Sequence, residues 1–245
     1  MNKISVVEIF GPTIQGEGPN VGARCIFVRV KGCDFKCDFC DSKFTWAGHD
    51  SNVEKYTDDE LISHLNRLCE STNCNRIVLT GGNPCLYDFT CVLDGLTAEV
   101  DVETQGSIIP EWLPYVDTVV FSPKVPSSGM PDTFDKIAEY LHNQMHVHQT
   151  IAIKVPVFTQ EDLEFARKYA AFVNEFNETA YSDIHLKMYL SVGNSDVDTT
   201  DPIRDRVLSD YENLLCVINE HPEDFQNVFI LPQLHTLVWG NKQGV

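Results

Sequence analysis

Three cysteines, Cys33, Cys37 and Cys40, fall within one short stretch, GCDFKCDFCDSKFTW. Thiolates are soft ligands that suit zinc, copper(I) and iron–sulfur clusters, so the spacing Cys-x3-Cys-x2-Cys points to metal chemistry. A disulfide framework is a poor reading: the chain has 9 cysteines, an odd number, and the N-terminus MNKISVVEIF is too short and too acidic for a secretory signal. A structural zinc site asks for four tetrahedral ligands, ordinarily from two cysteine pairs, and here there is a single triplet. His49 is the candidate for a fourth ligand, in a glycine- and aspartate-containing turn. A 4Fe-4S cluster held by three thiolates instead leaves one iron open to a small molecule, which makes the triplet a chemical site. The spacing favours the cluster. The other cysteines, Cys25, Cys69, Cys74, Cys85, Cys91 and Cys216, are scattered and read as small packed hydrophobes.

Such a loop needs elements to hold it. Short β-branched and aromatic runs recur along the chain: CIFVRV (25–30), RIVLTGG (76–82), EVDVETQG (99–106), DTVVFSPK (117–124), QTIAIKVPV (149–157), HLKMYLSVG (185–193) and NVFILPQLH (227–235). Helical stretches lie between them. Thr57 and Glu60 have capping-box spacing before LISHLNRLCE, and Thr159 with Asp162 opens a second helix through EDLEFARKYAAFVNEF. Strands alternating with helices predict an α/β fold with a mainly parallel sheet. In such sheets ligands bind beyond the carboxyl ends of the strands. The endings FVRVKGC, LTGGNP, VETQG, FSPK and ILPQLH carry glycine and polar groups where a buried strand would stay apolar, so they read as one site assembled from several strands. VPSSGMPD (125–132) reads as a surface loop, and HNQMHVH, with His142, His146 and His148, as an exposed helix end.

The whole chain bounds the rest. At 245 residues with 43% hydrophobic content it can bury a deep core as one domain, residues 1–245. A formal net charge of -18 repels phosphate backbones and anionic lipid surfaces, which argues against nucleic-acid and membrane partners. No apolar run reaches the roughly 20 residues of a membrane span, so a soluble, cytoplasmic protein is expected.

The triplet on a loop after an early strand resembles the signature of the radical S-adenosylmethionine (SAM) superfamily, and TGGNP resembles the glycine-rich strand ending that meets the SAM amino group. The stretches EIFGPTIQGEGPNVGARCIFVRVKGCDFKCDFCDSKFTW, LTGGNP, VETQG, FSPK and LPQLHTLVWGNKQGV together resemble the 7-carboxy-7-deazaguanine synthase family over nearly the full chain. The resemblance implies a partial (β/α) barrel, a homodimer, an electron donor such as flavodoxin or ferredoxin, and three cofactors: a 4Fe-4S cluster, SAM and Mg2+. It implies a lyase reaction of queuosine and deazapurine biosynthesis. A hydrogen is taken from C6 of 6-carboxy-5,6,7,8-tetrahydropterin, the ring contracts, ammonia leaves, and SAM is regenerated.

Carried over residue by residue, the resemblance gives Cys33, Cys37 and Cys40 to the cluster and Ser42 to Mg2+. Phe39, Cys40, Asp41, Gly82, Asn83, Ser122, Pro123 and Lys124 fall to SAM, with Gly82 allowing its close approach. Ile14, Gln15, Gly16, Arg29, Thr80 and Val245 fall to the pterin, with Arg29 on its carboxylate, and Glu103 and His235 are the catalytic candidates. Two positions depart from the family pattern. Asn83 stands in GGNP where much of the family has GGEP, and Ser42 stands in CDS where CDT is commoner. Two other readings remain open at this point: a radical SAM activase acting on a partner protein, and a zinc-bound scaffold without catalysis.

Overall fold

The computed structural model describes residues 3–48, 53–143, 149–179, 185–194, 196–197, 199 and 202–245. Among these, one nine-stranded sheet organises the chain in the order β3-β1-β2-β4-β5-β6-β7-β8-β9. The strands are β1 (Ile4–Ile14), β2 (Arg24–Val30), β3 (Glu54–Tyr56), β4 (Arg76–Gly81), β5 (Glu99–Thr104), β6 (Thr118–Phe121), β7 (Thr150–Val157), β8 (Lys187–Val192) and β9 (Val228–Leu231). From β2 to β9 every neighbouring pair is parallel. Only β1, against β2 and β3, is antiparallel. The sheet stays open, an incomplete barrel, and all the parallel strands present their carboxyl ends to one edge.

The parallel strands bury Val, Ile and Leu beneath the helices, whereas Arg29 on β2, Asp101 and Glu103 on β5 and Lys154 on β7 are taken up by ion pairs. β4 and β6 expose almost nothing along IVLT and TVVF. Helix α1 (Asp58–Thr72) buries Leu61, Leu65 and Cys69 at a spacing of four, a single helical stripe. Its start follows the expected capping box, with Glu60 N donating to Thr57 Oγ1 and Thr57 N donating to Glu60 Oε2. Helix α4 (Gln160–Thr179) turns Leu163, Ala166, Ala170 and Val173 inward. Thr159 and Asp162 cap each other's backbone there, and the Asp162 carboxylate also accepts from Ser127 N and Oγ. Helices α2 (Thr90–Gly95), α3 (Phe134–Asn143), α5 (Arg204–Asn219) and α6 (Leu234–Trp239) complete the described set. Among the described residues no helix is long and apolar enough to cross a membrane.

Several elements differ from the sequence reading. β1 was not anticipated, because its alternation is interrupted by Gly11 and Pro12; the strand continues past them through a register shift between Phe10 and Thr13. Gly11 there has φ +122, and a Cβ on it would lie 2.7 Å from the Cys25 carbonyl oxygen, so the bulge requires glycine. The strand read to Lys124 ends at Phe121, and the run read to His235 ends at Leu231, leaving His235 on α6. The 125–132 segment is a loop but only partly superficial: Val125 and Ser128 are fully buried, and Ser128 O and Met130 Sδ receive Asp38 N and Lys36 N from the cysteine loop. His142 ends α3 exposed and beside Phe172 and Phe176; His146 and His148 lie outside the described residues. Of the six scattered cysteines, Cys25, Cys69, Cys74 and Cys85 are buried as expected. Cys91 and Cys216 are exposed, so packing does not account for them.

Candidate active site at the carboxyl edge of the sheet

The strand endings do converge. A cavity of about 310 Å³ opens at the carboxyl edge, and Cys33, Cys37 and Cys40 are among its lining residues. The cysteine loop leaves β2 through Gly32, whose amide donates to Thr45 O at 2.8 Å and whose carbonyl receives Asn83 N at 2.8 Å. Three N–H groups point at sulfur: Phe35 N and Gln105 Nε2 to Cys33 Sγ (3.4 and 3.8 Å), and Trp46 Nε1 to Cys40 Sγ (3.4 Å). Donors of this kind stabilise cluster thiolates and tune their potential. Burial pushes the Cys33 thiol up and Cys37 up to about 11, with Lys124 pulling both the other way, so ligation must displace protons.

The donor set fits a cluster better than a lone zinc. A tetrahedral Zn–S distance of about 2.3 Å requires sulfurs about 3.8 Å apart. Among the described residues, the groups whose ligand atoms gather within 4.8 Å of one another do not include this triplet. Three thiols spread around one cavity wall suit a larger inorganic core. His49, the possible fourth zinc ligand, lies outside the described residues.

Much of the remaining lining is polar and charged. Glu103, at the end of β5, accepts from Gln15 Nε2 on Oε1 (3.1 Å) and from Thr80 Oγ1 on Oε2 (3.2 Å). Lys154, in mid-β7, reaches Glu17 Oε2 at 2.9 Å and Glu103 Oε1 at 3.6 Å. Glu17 also accepts from Gln233 Nε2 at 3.1 Å. Burial would raise the Glu17 carboxyl, but the Lys154 charge, the nearby His235 and these hydrogen bonds hold it down at about 2. Burial would likewise lower the Lys154 ammonium, yet Glu103 and Glu17 keep it above its ordinary value. Arg29, on β2, donates from Nε to Glu8 Oε1 at 2.7 Å, and its guanidinium lies 5.8 and 5.9 Å from the Phe10 and Phe44 ring centres. Its other N–H groups make no hydrogen bond among the described residues.

Most of the residues singled out from sequence line this cavity: Ile14, Gln15, Gly16, Arg29 and Thr80; Phe39, Asp41 and Ser42; Gly82, Glu103, Ser122, Lys124, His235 and Val245. Gly16 packs against the His235 ring so closely that any side chain there would overlap it. Phe39 stacks on Phe158 at 4.1 Å, Lys124 Nζ donates to Ser122 Oγ at 3.2 Å, and Ser42 Oγ donates to Asp41 Oδ1 at 2.7 Å.

Two residues do not belong to the lining. Pro123 is buried behind the wall between Ser122 and Lys124. Asn83 is 0% exposed and lies beneath the strand end. Its Nδ2 donates to Asp34 Oδ1 (2.9 Å) and Ser107 Oγ (3.2 Å), and its Oδ1 accepts from Cys85 N (3.1 Å) and Thr104 Oγ1 (3.0 Å). It is a structural buttress with its hydrogen-bonding capacity used internally. The reason for Gly82 also changes: a Cβ there would fall on the Gly32 carbonyl oxygen, so glycine is needed to dock β4 against the cysteine loop.

Sequence reasoning missed Lys154, Glu17, Gln233 and Gln105. For Lys154 the signal was present: a lysine at the centre of TIAIKVPV is buried only with a partner, and its partners had to come from elsewhere in the site. Glu17 stands inside the TIQGEG loop that was already singled out.

The chain has clear relatives. The family model of a 4Fe-4S single cluster domain matches residues 14–115, a stretch containing the triplet. The 7-carboxy-7-deazaguanine synthase of Bacillus subtilis (strain 168) is 38% identical over 251 residues, spanning 99% of this chain and 98% of its own. That of Bacillus cereus is 36% identical, with 100% of both chains covered. Among solved structures, QueE from Escherichia coli matches with a TM-score of 0.64 at 21% identity over 95% of each chain, a likeness of fold.

Proposed function

The chain belongs to the 7-carboxy-7-deazaguanine synthase family, and from that premise we propose that its cavity converts 6-carboxy-5,6,7,8-tetrahydropterin to 7-carboxy-7-deazaguanine with a 4Fe-4S cluster and SAM. The observation that carries this reading is the cavity itself, lined both by the three thiols and by a carboxylate–ammonium–guanidinium set. When bound, the cluster and SAM supply the radical that removes a hydrogen atom from the substrate.

The chain's own residues bind, orient and shield. Cys33, Cys37 and Cys40 hold the cluster. Residues 39–41, Gly82, Ser122 and Lys124 would hold SAM. Arg29 is pre-aimed through Nε by Glu8, which leaves its remaining N–H groups for a substrate carboxylate in paired geometry. Gln15 and Thr80 fix both oxygens of Glu103, so it offers lone pairs in set directions. Glu103 and His235 are the groups placed to accept and return protons as the nitrogen departs. Residues 240–245 border the same cavity.

Loss of ammonia by carbon–nitrogen cleavage makes the enzyme a lyase. The same reading carries Mg2+, a flavodoxin or ferredoxin as reductant, a homodimer and a cytoplasmic location, with residues 1–245 acting as one domain. Support for Mg2+ comes from the paired oxygens of Ser42 and Asp41, two hard donors suited to a cation that otherwise keeps its waters.

An anaerobic assay with the pterin, SAM and reductant tests the function. Wild type forms the deazaguanine acid and ammonium, and deuterium at the substrate C6 enters recovered SAM; unlabelled SAM after many turnovers overturns the reading. In the same assay after chelation, Ser42→Ala responds less than wild type to added Mg2+, and identical titration curves remove Ser42 from the metal. Iron and sulfide analysis of anaerobically purified protein separates this enzyme from a zinc scaffold.

A further inference from the structure

Two carboxylates from distant parts of the chain share one ammonium at the polar end of the cavity. Glu17 arrives on the loop after β1, Glu103 at the end of β5, and Lys154 rises between them from the middle of β7. The lysine side chain is 10% exposed, so its ion pairs are largely shielded from solvent. Gln233 and Gln15 each donate to one of the two carboxylates, and among the described residues Lys154 is the group that touches both. From these contacts we propose that Lys154 is a positioning residue for pterin binding: by pairing with both carboxylates it locks Glu17 and Glu103 as fixed hydrogen-bond acceptors facing the substrate. The proposal rests on the function given above.

The electrostatic surroundings are limited in number. Asp41 on the cysteine loop adds to the field on Lys154, and His235 on α6 to that on Glu17. Tyr189 on β8 stands beside Lys154 in register, and Lys124 lines the same cavity after β6. With the ammonium gone, Glu17 keeps its burial and loses its first compensating charge. Its carboxyl then rises from about 2 into and above the ordinary carboxylate range. A ligand that needs the ionised form then binds more weakly as pH falls, whereas in wild type Glu17 stays ionised over the same window.

The test compares wild type, Lys154→Met, Lys154→Arg and Lys154→Met/Glu17→Gln for pterin affinity by calorimetry, and for KM and kcat, between pH 6 and 8. Lys154→Met is expected to raise Kd and KM by on the order of tenfold or more at pH 6, with a smaller loss at pH 8 and kcat less affected. Lys154→Arg, which keeps the charge, recovers part of the affinity and the wild-type pH profile. The double variant stays weak but loses the added pH dependence, since Glu17 can no longer titrate. The proposal is overturned by a Lys154→Met profile parallel to wild type. It is equally overturned if all three variants lose iron content and melting temperature together, which would make the lysine a structural strut. Failure of wild type itself to turn over the pterin would count against the function; normal wild-type turnover with an unaffected Lys154→Met would count against this inference alone.

Discussion

The Asn83 amide makes four hydrogen bonds in a fully buried position, and one of its partners, Asp34, lies on the cysteine loop. Asp34 Oδ1 receives both Asn83 Nδ2 and Gln105 Nε2, and Gln105 Nε2 also faces Cys33 Sγ. The residue therefore acts on the cluster end through geometry, as a brace between β4, β5 and the loop. Asn83→Ala would leave Thr104, Ser107 and the Cys85 amide short of partners in a dry interior, at a cost of about 2–3 kcal/mol. For a chain of this length that lowers Tm by roughly 4–12 °C, measurable by calorimetry of the cluster-free protein. Asn83→Asp should be worse, because a second carboxylate would meet Asp34. Melting temperatures equal to wild type would show that the hydrogen bonds are replaced by water. Sequence spacing could not distinguish this role from a SAM contact, since residue type and motif position are the same in both; what decides it is that the side chain points down from the strand end.

At the scale of elements, the site depends on how closely β4 and the cysteine loop approach. Gly82 N donates to Val30 O and Asn83 N to Gly32 O, and no room remains for a Cβ between them. Gly82→Ala must push the loop outward, an overpacking cost of about 1–3 kcal/mol. The expected result is reduced iron per chain after reconstitution together with a lower Tm. Gly22→Ala is the control: Gly22 has φ +82 with nothing within 4 Å, so it carries only backbone strain of about 1–2 kcal/mol and full iron loading. Equal iron content in the two variants would sink the argument. The elements that sequence made legible are those with one dominant cause. β4, β6, β7 and β8 are largely buried and read as mainly apolar runs, and α1 and α4 announce themselves by caps and stripes. α5 did not, because its stripe of Val207, Leu214 and Ile218 is sparse within a strongly charged segment. β1 was hidden by the glycine and proline that its bulge requires.

At the scale of the whole molecule, the site joins the two ends of the chain. Leu234 N donates to Gly16 O at 3.0 Å, Gln233 reaches Glu17, and His235 packs on Gly16, so β1's loop and the C-terminal segment close one wall together. Local patterning cannot reveal such long-range pairing; the parallel order of strands was legible, but the meeting of residues 15–17 with 233–235 was carried only by the family resemblance. Beyond α6 the chain is tied by Asn241, whose Nδ2 donates to Asp196 O (2.8 Å) and Thr199 O (2.9 Å) and whose Oδ1 accepts from Asn194 Nδ2 (2.7 Å). From that anchor, residues 242–245 run along the cavity, and Gly244 comes near the Glu8 carboxylate that aims Arg29. These last residues bury little apolar surface, so deleting 242–245 should change Tm by no more than about 2–4 °C, equivalent to about 1 kcal/mol. Iron content should be retained, because the deleted residues include none of the three thiols. KM for the pterin should rise on the order of tenfold or more, through lost contact and through water reaching the polar wall. Asn241→Ala, which frees the tail without removing it, should give an intermediate rise. A truncated enzyme with wild-type KM would show that the tail only borders the cavity, and that Arg29, Glu103 and Lys154 alone set the affinity.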